Sequence, residues 1–325
     1  MLTERENALR AYRRSKDLAW VPLAEDCYQV VMPSAMKEQA EFGKDGADWF
    51  GCRWCWDPTC FGHAPDIRQK YLLEDITMWR EVVKFPDLDA IDFQACAEKD
   101  LEHANREGKI LRLFCEKGPF ERVSALMGFE EAFASMLTES EEYQALIDAI
   151  ADWKIDLFGR LIDAYRPDEM ICHDDLGSAH GPLISVSCYR ELIQPAHKRM
   201  VAAVHEKGVL YTHHSCGHMQ EFIPCLIENG VDMINPVQYM NDWEMIEKQY
   251  ADQVSFNVNL SHYANYFDAA PEQILSDVHR AIDIFAPYQN VIIESRVSNK
   301  LLPENQKRST EEARRYGREF YSRLR

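Results

Sequence analysis

Residues Gly208 to Gln238, GVLYTHHSCGHMQEFIPCLIENGVDMINPVQ, read as strand, polar turn, helix and next strand, and this unit decides the fold. Short apolar runs separated by amphipathic helices form parallel sheets, because each crossover helix covers one face of the strands that it joins. The turn in this unit holds His214-Ser215-Cys216-Gly217. Extended backbone sends alternate side chains to the same side, so the imidazole of His214 and the thiol of Cys216 leave together. Neutral imidazole and thiolate are favoured zinc ligands. By spacing alone the pair is a weak signal in a chain with many His and Cys residues.

The same rhythm extends outward in both directions. Upstream, ILRLFC (Ile110 to Cys115) is an expected strand, followed by EKGPFERVSALMG, helical runs through Glu130 to Ala164, a strand at Glu169 to Cys172 and a helix at Ser187 to His205. Downstream, strands are expected at Asp232 to Asn235, Val254 to Val258 and Val291 to Glu294, with helices at Asp242 to Tyr250, Pro271 to Phe285 and Pro303 to Arg323. Trp20 to Ala24 (WVPLA) reads as the first strand, and one more is expected near Asp48 to Cys52 within an irregular, aromatic N-terminal region. Eight strands with no glycine-rich phosphate loop point to a (β/α)8 TIM-type barrel rather than a dinucleotide-binding open sheet. The chain is read as one barrel domain, 1–325, with a loop-rich N-terminal elaboration over 1–107 that also carries the first strands, and regular βα units over 108–325.

Composition narrows the function classes. The chain has 325 residues, with 36 Lys plus Arg against 54 Asp plus Glu and a formal charge of −18. Such a surface repels nucleic acid and anionic membranes. The N-terminus MLTERENALRAYRRSK has no apolar core for export, and no run is long enough to span a bilayer, so a cytoplasmic enzyme with reduced thiols is expected. The ten cysteines all lie at or before Cys225. Cys52, Cys55 and Cys60 in GCRWCWDPTCFGH resemble half a zinc site, but no second Cys pair follows, and buried or lining thiols are the better reading.

In barrels of this kind the active site gathers at the carboxyl ends of the strands. Those positions are polar here: Glu116; His173, Asp174 and Asp175; His213, His214 and Cys216; Asn235 and Gln238; Asn257, Asn259 and His262; Glu294 and Arg296. Any one of them is accounted for by capping or packing. Their convergence is what a metal-assisted or acid/base site requires. Glu116, His173, Asp174 and Asp175 are the candidate catalytic groups. Asn235, Gln238 and Asn257, with Trp54 and Trp56 from the aromatic loop, are the candidate substrate contacts.

The blocks DWFGCRW, KFPDLDAIDF, KGPFERVSALMGFEEAF, HDDLGSAHGPLISVSCYRELIQPAHKRMVAAVHEKG and HHSCGHMQEFIPCLIENGVDMINPVQ resemble the uroporphyrinogen decarboxylase superfamily, and more narrowly its cobalamin-dependent methyltransferase branch. The resemblance implies an α/β barrel and a zinc ion held by a His-x-Cys motif, here His214 and Cys216, with a later Cys. No cysteine follows the last strand, where VIIESRVSNK stands, so Glu294 is the expected substitute ligand, with loss of zinc as the alternative. LAWVPLAEDCYQVVMP lacks the arginines with which the decarboxylases clamp substrate carboxylates, which disfavours tetrapyrrole decarboxylation. The implied function is transfer of a methyl group from a small methylated substrate, such as a methoxylated aromatic, to a cobalt(I) corrinoid carried by a partner protein, with zinc as Lewis acid. A methylcobalamin:thiol methyltransferase, a decarboxylase-like lyase and a zinc-free binding protein stay open beside it. A homodimer is admitted by the sequence without being specified.

Overall fold

The computed structural model describes residues 2–58, 62–260, 270–295 and 303–323. Among them, ten strands fall into two sheets: β1 (Tyr28–Val31), β2 (Gly46–Ala47), β3 (Arg53–Asp57), β4 (Gly62–Pro65), β5 (Ile110–Cys115), β6 (Glu169–His173), β7 (Leu210–His214), β8 (Met233–Val237), β9 (Ser255–Asn259) and β10 (Val291–Glu294). The main sheet is parallel throughout, in the order β1-β5-β6-β7-β8-β9-β10. Its strands are buried almost without interruption, as expected when helices cover the outer face and side chains fill the inner one. Arg112 and Glu169 face each other across β5 and β6 inside the curl, bidentate at 2.7 and 2.8 Å, with the guanidinium 3.6 Å from the Tyr28 ring.

The expected closed eight-stranded barrel is not formed. Trp20–Ala24 is not a strand: its one ladder contact is a bridge from Leu23 to Ile293, with the Ile293 amide donating to Pro22 O at 2.9 Å. Pro22 has no N–H to offer a ladder, and the chain makes a helical turn at Ala24–Cys27 before entering β1. Residues 22–31 therefore join the two edges of the main sheet, contacting β10 through Leu23 and forming the other edge, β1, themselves, so seven parallel strands curl into a barrel-like shell. Asp48 to Cys52 is likewise a turn, closed by the Asp48 carboxylate accepting from the amides of Phe50 and Cys52. It joins β2 to β3 in the small antiparallel sheet β2-β3-β4, which is separate from the main sheet.

The helices match the sequence reading with two local differences. The expected helix over Ser187 to His205 is two helices, Val186–Leu192 and Gln194–Glu206, divided just before Pro195. EKGPFERVSALMG contains the helix Pro119–Met127, which has Pro119 in its first turn and no cap from its own side chains. Asp174 caps it from a distance, accepting from the amides of Phe120 (3.1 Å) and Glu121 (2.8 Å). A Cβ at position 118 would lie 2.4 Å from Asp174 Cγ, so Gly118 is required for this approach. No described helix is long and apolar enough to cross a membrane.

At the far end of the shell, Glu247 is buried beside Asn290. Burial pushes its carboxyl up from the ordinary 4.5 to about 8, against the opposing Asn290 hydrogen bond. Between these values the unfolded chain is ionised there while the folded chain still holds the proton, so stability falls as pH rises through this window. The cost is on the order of 3 kcal/mol at pH 7. Glu247→Gln should therefore gain stability over the wild type progressively from pH 4.5 to 8 in urea titrations; a difference independent of pH would show that Glu247 does not titrate in this way.

Candidate metal centre

The ends of β6, β7 and β8 lie in register, with His173 beside His214 and His214 beside Asn235. The two imidazoles stack with centroids 4.2 Å apart. Asp175, one residue beyond Asp174, turns the other way and accepts from the Cys216 amide at 2.7 Å. The turn bearing Cys216 is held close by Gly217, whose φ is +85° and whose Cβ, if present, would meet Gly177 C at 2.6 Å. Among the described residues, His173, Asp175 and His214 form a group whose ligand atoms lie mutually within 4.8 Å. Asp175 Oδ1 is 3.7 Å from His173 Nε2 and 4.0 Å from His214 Nε2, and Cys216 Sγ is 3.4 Å from His214 Nε2.

Whether these residues fit a zinc ion is decided by their geometry and protonation. Ligand bonds of about 2.0–2.3 Å at tetrahedral angles place neighbouring donors roughly 3.3–3.7 Å apart. The separations above match or slightly exceed that range. The tautomer of His214 follows from its network. Asn257 Nδ2 donates to Ile292 O, so Asn257 Oδ1 accepts from Asn235 Nδ2, which makes Asn235 Oδ1 an acceptor. His214 Nδ1, 2.6 Å from Asn235 Oδ1, must then carry the proton, leaving Nε2 bare toward Cys216 and Asp175. Burial and the neighbouring His173 hold His214 well below its ordinary pKa, hence neutral. Hydrogen-bonding the far nitrogen of a ligating histidine is how metal sites fix ring orientation. The residues fit zinc.

Around this core the charges are strongly coupled. Burial opposes charge on His173, but Asp175 and Glu121 outweigh it and lift the imidazole to about 9. Burial, then Asp175, Glu121 and Glu294, push the Cys216 thiol well up. A cation among these groups would reverse that order and favour the thiolate. Glu116 is raised by burial in spite of Lys117 and His173.

His173 and His214 open onto a cavity of about 1390 Å³, also lined by Glu116, Asn235, Asn257 and Glu294. Its apolar wall includes Tyr28, Phe42, Trp56 and Phe114. Trp56 thus lines the cavity, whereas Trp54 does not: it is buried and donates to Asp48 Oδ2 at 3.0 Å. Both rings leave the same side of β3, and the one nearer the Asp48 turn is buried against it. Gln238 is also buried away from the cavity, accepting from the Gly217 amide at 2.6 Å. Asp174 is 1% exposed and saturated by two amides and His197 Nε2, so it anchors a helix and does not line the cavity. Glu294 lines the cavity but lies outside the mutual His173-Asp175-His214 group. Cys52 is buried beside Arg122, and Cys55 accepts from Arg68 at 2.9 Å. Cys60, His262 and Arg296 lie outside the described residues. Glu121, absent from the expectations above, contacts His173 directly at 2.5 Å.

A family model described as uroporphyrinogen decarboxylase (URO-D) matches residues 74–295, more than half of the chain. The chain belongs to the uroporphyrinogen decarboxylase family. Within it, the chain is 26% identical over 234 residues to the methylated-thiol–coenzyme M methyltransferase of Methanosarcina mazei, a match covering 71% of this chain and 60% of that protein. The match thus spans less than two-thirds of that relative's length. A solved methyltransferase structure from Methanosarcina mazei superposes with a TM-score of 0.73 at 11% identity, covering 97% of this chain and 99% of that one. At that identity the likeness concerns the fold. It ties the curled URO-D shell of this chain to one that also exists in a solved structure.

Proposed function

We propose that this URO-D family protein is a corrinoid-dependent methyltransferase that takes the methyl group of a small methylated molecule, a methoxylated aromatic foremost, and passes it to a cobalt(I) corrinoid on a partner protein. The observation that carries the reading is the cluster of His173, Asp175 and His214, with the Cys216 thiol 3.4 Å from His214 Nε2, whose two imidazoles open onto a large cavity with aromatic sides. The matched relatives, both methyltransferases by name, support the reaction class.

Zinc would be held by His173, Asp175 and His214, with the Cys216 thiol, 3.4 Å from His214 Nε2, within reach, and when bound it supplies a Lewis acid that polarises the leaving heteroatom. Phe114 and Trp56 present flat apolar surfaces suited to an aromatic ring. In the transfer, the methyl–oxygen bond breaks as the cobalt–carbon bond forms, the bonding pair stays on oxygen, and Glu116, whose burial favours its protonated form, is placed at the cavity to supply the proton. Nitrogen and oxygen donors in place of a thiolate leave an ion more electrophilic, which suits an oxygen leaving group. The name of the curated relative favours a second donor class, methylated thiols, processed in the same cavity.

The test supplies a cobalt(I) corrinoid protein with methoxylated arenes and methylated thiols in parallel and follows methylcobalt absorbance. Methoxylated arenes should give the faster signal. Transfer from thioethers alone would move the substrate assignment to the second class. No transfer from any donor, together with carbon dioxide release from a carboxylated arene, would replace methyl transfer with a lyase reaction.

A further inference from the structure

We infer that Glu121 is a positioning residue that aims His173 at the metal centre; this rests on the zinc reading above. Its carboxylate is engaged at both oxygens, Oε2 with His173 Nδ1 at 2.5 Å and Oε1 with Lys117 Nζ at 3.5 Å, and its side chain is 13% exposed. An ionised carboxylate only accepts, so in neutral His173 the proton sits on Nδ1 and the lone pair of Nε2 is turned toward Asp175 Oδ1, 3.7 Å away. His173 is thereby oriented as His214 is, but by a charged partner in place of the Asn235 amide. A carboxylate partner raises the basicity of an imidazole ligand as well as fixing its ring.

Glu121 is itself held by a buried chain of contacts. Its amide donates to Asp174 Oδ1, and the other oxygen of Asp174 accepts from the Phe120 amide and lies 2.7 Å from His197 Nε2. His197 Nδ1 is 2.9 Å from the Tyr189 hydroxyl, to which Asn229 Nδ2 also donates at 3.0 Å. Every side chain in that relay is buried. The first turn of the helix Pro119–Met127 is thus pinned from the end of β6, the strand that ends in His173. A surface ion pair would leave Glu121 free to choose rotamers; here the helix start, the histidine and the lysine leave it one.

The experiment compares wild type, Glu121→Ala and Glu121→Gln by two readouts: the His173 tautomer in zinc-free protein, from nitrogen-15 NMR at a pH above the imidazole's value of about 9, and zinc affinity, by competition with a chromophoric chelator. Alanine should leave His173 a mixture of tautomers and weaken zinc binding about 10- to 100-fold, the cost of losing a metal site's outer hydrogen bond. Glutamine keeps an acceptor for Nδ1–H and should recover most of the loss without changing zinc stoichiometry. Unchanged affinity and an unchanged tautomer in Glu121→Ala would overturn the assignment. If the wild type binds no zinc, the metal reading fails on its own, and the tautomer measurement still decides whether Glu121 positions His173.

Discussion

Under the proposed zinc-assisted methyl transfer, asparagine in place of Asp175 should reduce bound zinc to nearly none and slow the reaction about a thousandfold, the equivalent of roughly 4 kcal/mol of lost charge stabilisation. The substitution is chosen because the amide oxygen can still accept from the Cys216 amide, which now donates to Asp175 Oδ1 at 2.7 Å, so the turn keeps its shape. What is lost is the negative charge that makes Oδ1 a ligand and, with burial, raises the Cys216 thiol while no cation is present. His214→Ala should have the same effect by removing the bare Nε2. Glu294→Gln should keep zinc, because Glu294 stands outside the mutual ligand group although it lines the same cavity. Elemental analysis of the three purified variants separates these outcomes. Zinc retained by Asp175→Asn and lost by Glu294→Gln would move the third ligand from the end of β6 to the end of β10.

The contrast between those two carboxylates marks how far the sequence could be read. His214 and Cys216 were legible because their pairing is local: two residues apart on extended backbone. Asp175 and His173 were legible as residues at a strand end, but their ligand geometry depends on β6 and β7 lying in register, which no spacing encodes. Asp174 and Asp175 look alike in sequence and do different work, one capping a helix and binding His197, the other facing the two histidines. Glu121 was invisible because it lies in the first turn of a helix, 52 positions from the histidine it contacts. For the fold, β5 to β10 are short apolar runs between amphipathic helices, and their ends fall within about two residues of expectation. The N-terminal region defeats the same reasoning: WVPLA is apolar enough for a strand, yet its proline has no ladder donor, while β1 is only four residues long and contains Gln29.

That N-terminal region is tied to the shell by a buried ion cluster, and breaking it should produce the largest loss of stability. Arg122 on the helix Pro119–Met127 pairs with Asp48 at 2.5 Å and Glu38 at 3.3 Å, and Lys154 on the helix Ser140–Tyr165 pairs with Glu38 at 2.8 Å. The four side chains are at most 1% exposed, and two positive charges balance two negative ones. Lys154 also donates to Glu116 O at 2.7 Å, so the cluster reaches the backbone of a cavity residue. Arg122→Met keeps much of the volume but loses the guanidinium over Phe50 and leaves two buried carboxylates facing one ammonium. Removing one partner of a buried ion cluster costs about 3–5 kcal/mol, because the remaining charge has no water to turn to. Urea unfolding should register that loss. Limited proteolysis should cut the variant first between residues 33 and 70, the segment that Asp48 and Glu38 no longer anchor. By contrast, Arg190→Ala, which breaks the exposed pair with Glu228, should leave the unfolding midpoint essentially unmoved. Equal effects from the two substitutions would mean that the buried cluster is no stronger a tie than a surface pair, and the N-terminal elaboration would then be held by its apolar contacts alone.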